Sequence, residues 1–313
     1  MRIAVADVGG TNARFALAEV ACGKVVSLGE AHVLQAHQYP GLAEAWQAFG
    51  DRVGEALPRA AAFGLAGPVT GGPIRFINSP WVVDPERLTI DLGLDTALVL
   101  NDFGAMAHAA DALAADQFLH VCGPDVALPA RGAISVIGPG TGLGVAVLER
   151  RKAGVTVLET EGAHIHFAPL DADETLVSAA ITAKHGRTAI ERVVSGPGLV
   201  EVIRAFDPAD MRDDAALWTA ALAGELPRAL DLFLAAYGAA CGDLSLAHGA
   251  LGVVLGGGLT ARLLPHVAAS RFHARFCDKG RYRDRMESIP VKLMNDPQPG
   301  LLGAASAFAR EHT

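Results

Sequence analysis

Several features that would settle a protein's class early are scarce or missing here. Aromatic residues make up 6% of the 313 positions, and the four cysteines (Cys22, Cys122, Cys241 and Cys277) stand far apart without a C-x-x-C pair. This spacing argues against a disulfide framework or a cysteine-based zinc module and fits buried thiols in a reducing compartment. No basic block occurs and the net charge is −8, so neither nucleic acid nor an anionic membrane surface is an expected partner. Long apolar runs are missing too. The opening run, 2–7, is too short for the hydrophobic region of a signal peptide, and the apolar stretch 229–246 carries Asp231 and Asp243. A soluble, cytoplasmic protein is expected, with 229–246 as a buried or amphipathic helix. Neither a P-loop G-x-x-x-x-G-K-[ST] nor a dinucleotide fingerprint running from strand into helix is expected at the first two glycine turns, since each leads into a second strand.

What is present suits a packed globular chain long enough for two domains, with 51% apolar and 19% charged residues. Strands are expected at 2–7, 13–19, about 24–33, 60–66 and 96–100. Helices are expected at 41–56 and 103–115, and Asp84-Pro85 reads as a helix start with Asp at the cap and Pro in the first turn. After a loop rich in Gly and Pro, strands recur at 133–137 and 144–148. Helices follow at 172–185, 195–205, 213–223 and 226–247, then a strand at 252–255, a last strand at 291–294 and a helix at 301–310. The stretches DVGGTNARFALAEV and IGPGTGLGVAVLER are both strand, glycine turn with threonine, strand. This internal echo predicts a duplicated α/β architecture with a boundary near residue 112.

A glycine turn alone is equally consistent with a hairpin that binds nothing. Here both turns combine glycines with a threonine, Gly9-Gly10-Thr11-Asn12 and Gly140-Thr141-Gly142, offering backbone N–H groups and a hydroxyl to phosphate oxygens. Both follow an apolar strand, at the end where α/β sheets place ligands. Asp7 sits just before the first turn, where a carboxylate can hold Mg²⁺ through water. Gly256-Gly257-Gly258 does run from strand to helix; it admits a flat adenosine against the backbone or serves as a close packing turn.

Eight stretches occur in order: Asp7-Val-Gly-Gly-Thr-Asn-Ala-Arg14, Asn101-Asp102-Phe103, Gly138-Pro-Gly-Thr-Gly-Leu-Gly144, Glu161-Gly-Ala-His164, Glu191-Arg-Val-Val-Ser-Gly-Pro-Gly198, Gly256-Gly-Gly258, Asp278-Lys-Gly-Arg281 and Pro299-Gly-Leu-Leu-Gly303. This ordered set, spanning essentially the whole chain, resembles the bacterial glucokinases of the hexokinase/actin-like ATPase superfamily. The resemblance implies an α/β, two-domain actin-like (ribonuclease H-like) fold with an interdomain cleft. The small domain would comprise 1–112 with a returning helix at 299–313, and the large domain 113–298. It also implies a homodimer, ATP with Mg²⁺, and glucose contacted by Asn101, Asp102, Glu161, His164 and Glu191, with Asp102 as the base. Three places depart from the family pattern: Ala163, Gly104 and the stretch Ile77-Asn78-Ser79-Pro80-Trp81 at the expected sugar rim.

The residue types suit that chemistry. Phosphoryl transfer to an alcohol needs an aligned nucleophile, charge neutralisation and a proton acceptor. Asp102, expected at the carboxyl end of a buried strand, can accept the 6-hydroxyl proton; it can also cap the following helix. The Glu161 and Glu191 carboxylates can each bridge two neighbouring hydroxyls, and His164 adds a donor or acceptor. His164 and His166, two apart on an expected strand, show no third metal ligand. Arg14 is assigned either to phosphate or to a neighbouring carboxylate. The rival readings are a kinase for another six-carbon sugar, a sugar-responsive regulator without turnover, and an ATPase that uses no sugar.

Overall fold

The computed structural model describes residues 1–69, 72–76 and 79–313, so Ile77 and Asn78 of the expected sugar rim lie outside the described residues. The chain divides into two compact units, 1–114 with 296–313, and 115–295.

The first unit is built on β1 (Arg2–Val8), β2 (Asn12–Ala21), β3 (Lys24–Leu28), β4 (His32–Gln35), α1 (Leu42–Val53), β5 (Ala60–Leu65), β6 (Ile74–Arg75), β7 (Val82–Val83), α2 (Leu88–Leu92), β8 (Thr96–Asn101) and α3 (Asp102–Ala112). Its main sheet has the order β3-β2-β1-β5-β8, with β4 also paired to β2. The first two strands form an antiparallel hairpin in which Asp7 faces Arg14, while β1, β5 and β8 run parallel. The expected strand at 24–33 is therefore two short ones. Between them, a Cβ on Gly29 would stand 3.1 Å from the Leu17 carbonyl oxygen.

Alternation along β1 sorts its side chains onto two faces. Ala4, Ala6 and Val8 join a core with Phe15, Trp46, Phe49 and Phe63, whereas Ile3 and Val5 join Leu301, Ala305 and Phe308 of the final helix. Asp7 shares the parity of Ile3 and Val5, which directs its side chain to the final helix. Trp81 is buried and donates its indole N–H to the Tyr39 carbonyl at 2.9 Å, as expected of a packing residue.

The second unit comprises β9 (Phe118–Cys122), β10 (Gly132–Pro139), β11 (Leu143–Arg151), β12 (Gly154–Thr160), α4 (Ala172–His185), α5 (Ile190–Val193), α6 (Gly196–Phe206), α7 (Asp214–Leu222), α8 (Pro227–His248), β13 (Gly252–Leu255), α9 (Gly258–Val267), α10 (Phe272–Cys277), α11 (Arg283–Glu287) and β14 (Val291–Met294). The chain ends with α12 (Pro299–His312), which belongs to the first unit. The second sheet has the order β12-β11-β10-β13-β14-β9. Three antiparallel strands followed by two parallel ones recur in both sheets. The echo seen in the two glycine hairpins is thus a repeated sheet topology. Helix α8, the apolar stretch of the sequence, is mostly buried in its own unit's core among Leu232, Phe233 and Tyr237. Cys122, Cys241 and Cys277 are buried, and burial pushes the Cys122 thiol up to about 12; Cys22, by contrast, is exposed.

Candidate active site

In the first unit, parallel pairing sets Asp7, Leu65 and Asn101 at the carboxyl ends of neighbouring strands. The turn after β1 is closed by Gly9 N–H to Asn12 O at 2.9 Å, and Ala36 N–H reaches Thr11 O at 2.9 Å. Arg14 donates to Asp7 Oδ2 at 3.1 Å, so its partner is the carboxylate. Burial holds the Asp7 carboxyl above its ordinary range, and the Arg14 charge and hydrogen bond offset only part of that rise. From the opposite side, Gly300 in the first turn of α12 lies so close that a Cβ there would sit 2.8 Å from Asp7 Cγ. Sequence reasoning missed Gly300, although Pro299-Gly300 at a helix start was a usable sign.

At the end of β8 the structure divides two jobs between neighbours. Asn101, not Asp102, caps α3: its Oδ1 accepts from Phe103 N–H at 2.8 Å and from Gly104 N–H at 3.3 Å. The Asn101 amide group also donates to the Gly67 carbonyl at 3.0 Å. Asp102 is the first residue of α3, and its Oδ1 accepts from Phe103 N–H at 2.9 Å. The capping reading of Asp102 gives way because the Asn101 backbone is extended (φ −63°, ψ 148°), which is where a cap residue sits.

The second unit brings together the other expected residues. Glu161 precedes and His164 ends a 3-10 turn, 162–164, so His164 is not on the expected strand; both are exposed, with His164 Nε2 3.6 Å from Glu161 Oε2. Antiparallel links, Phe167 N–H to Thr188 O and Ile190 N–H to Ile165 O, both at 3.0 Å, hold this turn beside α5, which carries Glu191. His166 belongs to that link through a bridge to Ala189. Glu191 in turn reaches the second glycine turn, accepting from Leu143 N–H at 2.9 Å.

The second and third glycine turns also meet. Gly140 N–H donates to Gly142 O at 2.7 Å, Gly196 N–H donates to Gly140 O at 2.7 Å, and Gly256 N–H donates to Ile137 O at 3.0 Å. Gly257, with φ +84°, would place a Cβ 3.1 Å from Pro139 O, and Gly258 opens α9. Close approach together with a positive φ explains Gly257. Thr141 at the turn tip is exposed, with its hydroxyl available to a ligand. These hydrogen bonds fix the second glycine turn beside the start of α9.

Comparison with known proteins agrees. The glucokinase family model matches residues 4–311. A glucokinase of Zymomonas mobilis is 46% identical, over 100% of this chain and 99% of its own length. The crystal structure of a glucokinase from an Antarctic psychrotroph superposes with a TM-score of 0.82 at 31% identity, covering 98% of both chains. That of a Balamuthia mandrillaris glucokinase in complex with glucose gives 0.81 at 21% identity, over 99% of this chain and 93% of the other, and so shares the fold. With a match running almost end to end, the chain belongs to the glucokinase family.

Proposed function

We propose that this protein transfers the γ-phosphoryl group of ATP to the 6-hydroxyl of glucose, with Asp102 as the general base. The hydroxyl oxygen attacks γ-phosphorus, the bond to the β–γ bridging oxygen breaks, the hydroxyl proton passes to the Asp102 carboxylate, and ADP leaves. Family membership over the full chain supports the reaction. The observation that carries the choice of base is the division of labour at 101–102: Asn101 supplies the cap of α3, so helix capping does not by itself account for a carboxylate at 102, where β8 ends. The repeated sheet topology supports an actin-like, ribonuclease H-like assignment for both units.

Glu161, His164 and Glu191 are assigned to the sugar hydroxyls, and Asn101 to a further sugar contact. Gly9, Gly10, Thr11, Asn12, Gly140, Thr141 and Gly142 are assigned to the phosphates, and Gly256, Gly257 and Gly258 to the adenosine. Mg²⁺ is typically held by one or two carboxylates with water and phosphate oxygens, and Asp7, with one oxygen on Arg14, fits that donor set through water. Bound there, the ion would offset phosphate charge. A homodimer in the cytoplasm completes the reading.

The direct test is ADP release with ATP, Mg²⁺ and each six-carbon sugar in turn. Glucose-dependent release and a 6-phosphorylated product are expected; sugar-independent hydrolysis would reject the kinase, and a better rate with another hexose would reject glucose as the preferred sugar. Glu161→Gln is expected to raise the glucose KM about tenfold, because a mispaired hydroxyl costs roughly 1–3 kcal/mol and the exposed Glu161 side chain puts it near the lower end. An unchanged KM in that variant would remove Glu161 from the sugar set.

A further inference from the structure

One contact in the second unit joins residues assigned to different ligands. Glu191, assigned to the sugar, holds the Leu143 N–H of the turn assigned to phosphate at 2.9 Å. A carboxylate has about four lone-pair sites, so this bond leaves acceptor capacity for a hydroxyl. The turn is shaped around that carboxylate. A Cβ added to Gly142 would stand 2.3 Å from Glu191 Oε2 and 3.1 Å from its Cδ. Gly142 is not among the glycines with positive φ, so its backbone would accept an L-residue. What glycine supplies here is room for the carboxylate of a residue 49 positions later.

The link continues on both sides. Toward the sugar residues, Ile190, next to Glu191, is bonded to Ile165, and Arg187 Nη2 donates to His164 O at 3.0 Å. Toward the turn, Gly196 N–H holds Gly140 O, and the Trp218 indole N–H holds Gly196 O at 2.9 Å. The segment 187–196 therefore braces the glycine turn at two points while touching the 161–167 segment.

We propose that Glu191 couples sugar binding to nucleotide binding: a sugar hydroxyl on its carboxylate and the phosphate-binding turn on the same group each set the position that favours the other, and Gly142 is the positioning residue that admits the carboxylate. The inference rests on the assignment of Glu191 to sugar and of the turn to phosphate. Such coupling is reciprocal, typically about 5–150-fold in affinity.

The test is a glucose titration by calorimetry, with and without the non-hydrolysable ATP analogue AMPPNP, on the full chain and three variants. The original protein should bind glucose at least about fivefold tighter with the analogue present. Gly142→Ala should fold, because the atom it meets is the far end of a flexible side chain, and should lose most of that enhancement by displacing the carboxylate. Glu191→Ala should lose both the enhancement and glucose affinity. Glu191→Gln should retain part of the enhancement, since its carbonyl oxygen can accept the same N–H. An original protein without enhancement, or a folded Gly142→Ala that keeps all of it, overturns the coupling while leaving the kinase reading standing. If Glu191→Ala binds glucose normally, the sugar assignment of Glu191 fails first and the coupling fails with it.

Discussion

Replacing Asp102 with Asn is expected to lower kcat by about 10²–10⁴ while leaving the fold and much of the glucose affinity in place. Asn keeps the shape of the side chain and an oxygen that can accept from Phe103 N–H, the bond made at 2.9 Å in the original. The cap of α3 is untouched, because Asn101 supplies it. The helix loses a negative charge in its first turn, which costs about 0.3–1 kcal/mol. An amide is a far weaker proton acceptor than a carboxylate, so the loss should appear in turnover and not in KM. Steady-state kinetics beside a thermal melt separate these effects. A near-normal kcat would show that the reaction does not need this carboxylate.

Gly303→Ala is expected to destabilise the protein by about 3 kcal/mol or more, at or beyond the upper end of ordinary overpacking. Helices α3 and α12 approach so closely that a Cβ on Gly303 would lie 1.7 Å from the Ala105 carbonyl oxygen. A backbone oxygen cannot swing aside as a side chain can, so one helix must move. The two are also joined by the Arg310–Asp111 ion pair near the far end of α12. At roughly 2–4 °C per kcal/mol for large domains, Tm should fall by about 6–12 °C. Activity should drop as well, because α12 carries Gly300 against Asp7, and α3 begins at Asp102. A melt within a degree of the original would mean that the helices do not cross here as described.

Much of this was legible in the chain itself. The apolar runs at 2–7, 60–66, 133–137 and 252–255 are strands whose faces are largely covered, and such strands need no polar alternation; the run at 96–100 is a strand too, but it is half-buried throughout rather than buried as expected. Asp84, Asp171 and Asp213 cap helices through bonds to N–H groups two or three residues on, a local interaction that local sequence encodes. The repeated hairpin and the order of the eight motifs carried the duplicated architecture and the family. Four strands escaped notice, two of them the two-residue β6 and β7. The segment Gly154–Thr160 alternates exposed and half-buried positions but stands beside charged residues, and Phe118–Cys122 is a short edge strand whose pairing with β14 is decided about 170 residues later.

The sequence by itself determined which residues have the chemical groups such a reaction needs, because carboxylates, imidazole and glycine turns are properties of composition and short spacing. Only the tertiary structure decided which of them act on one another. Asp102 looked like a cap until the extended backbone of Asn101 took that place. Arg14 found its carboxylate across a hairpin through register, which a one-residue slip would have reversed. Gly142 looked like a turn residue, yet its backbone does not demand glycine; the space it leaves is filled by Glu191, brought there by the pairing of 165–167 with 188–190. Contacts of this kind depend on where separate segments are packed, and no local pattern around either partner contains that information.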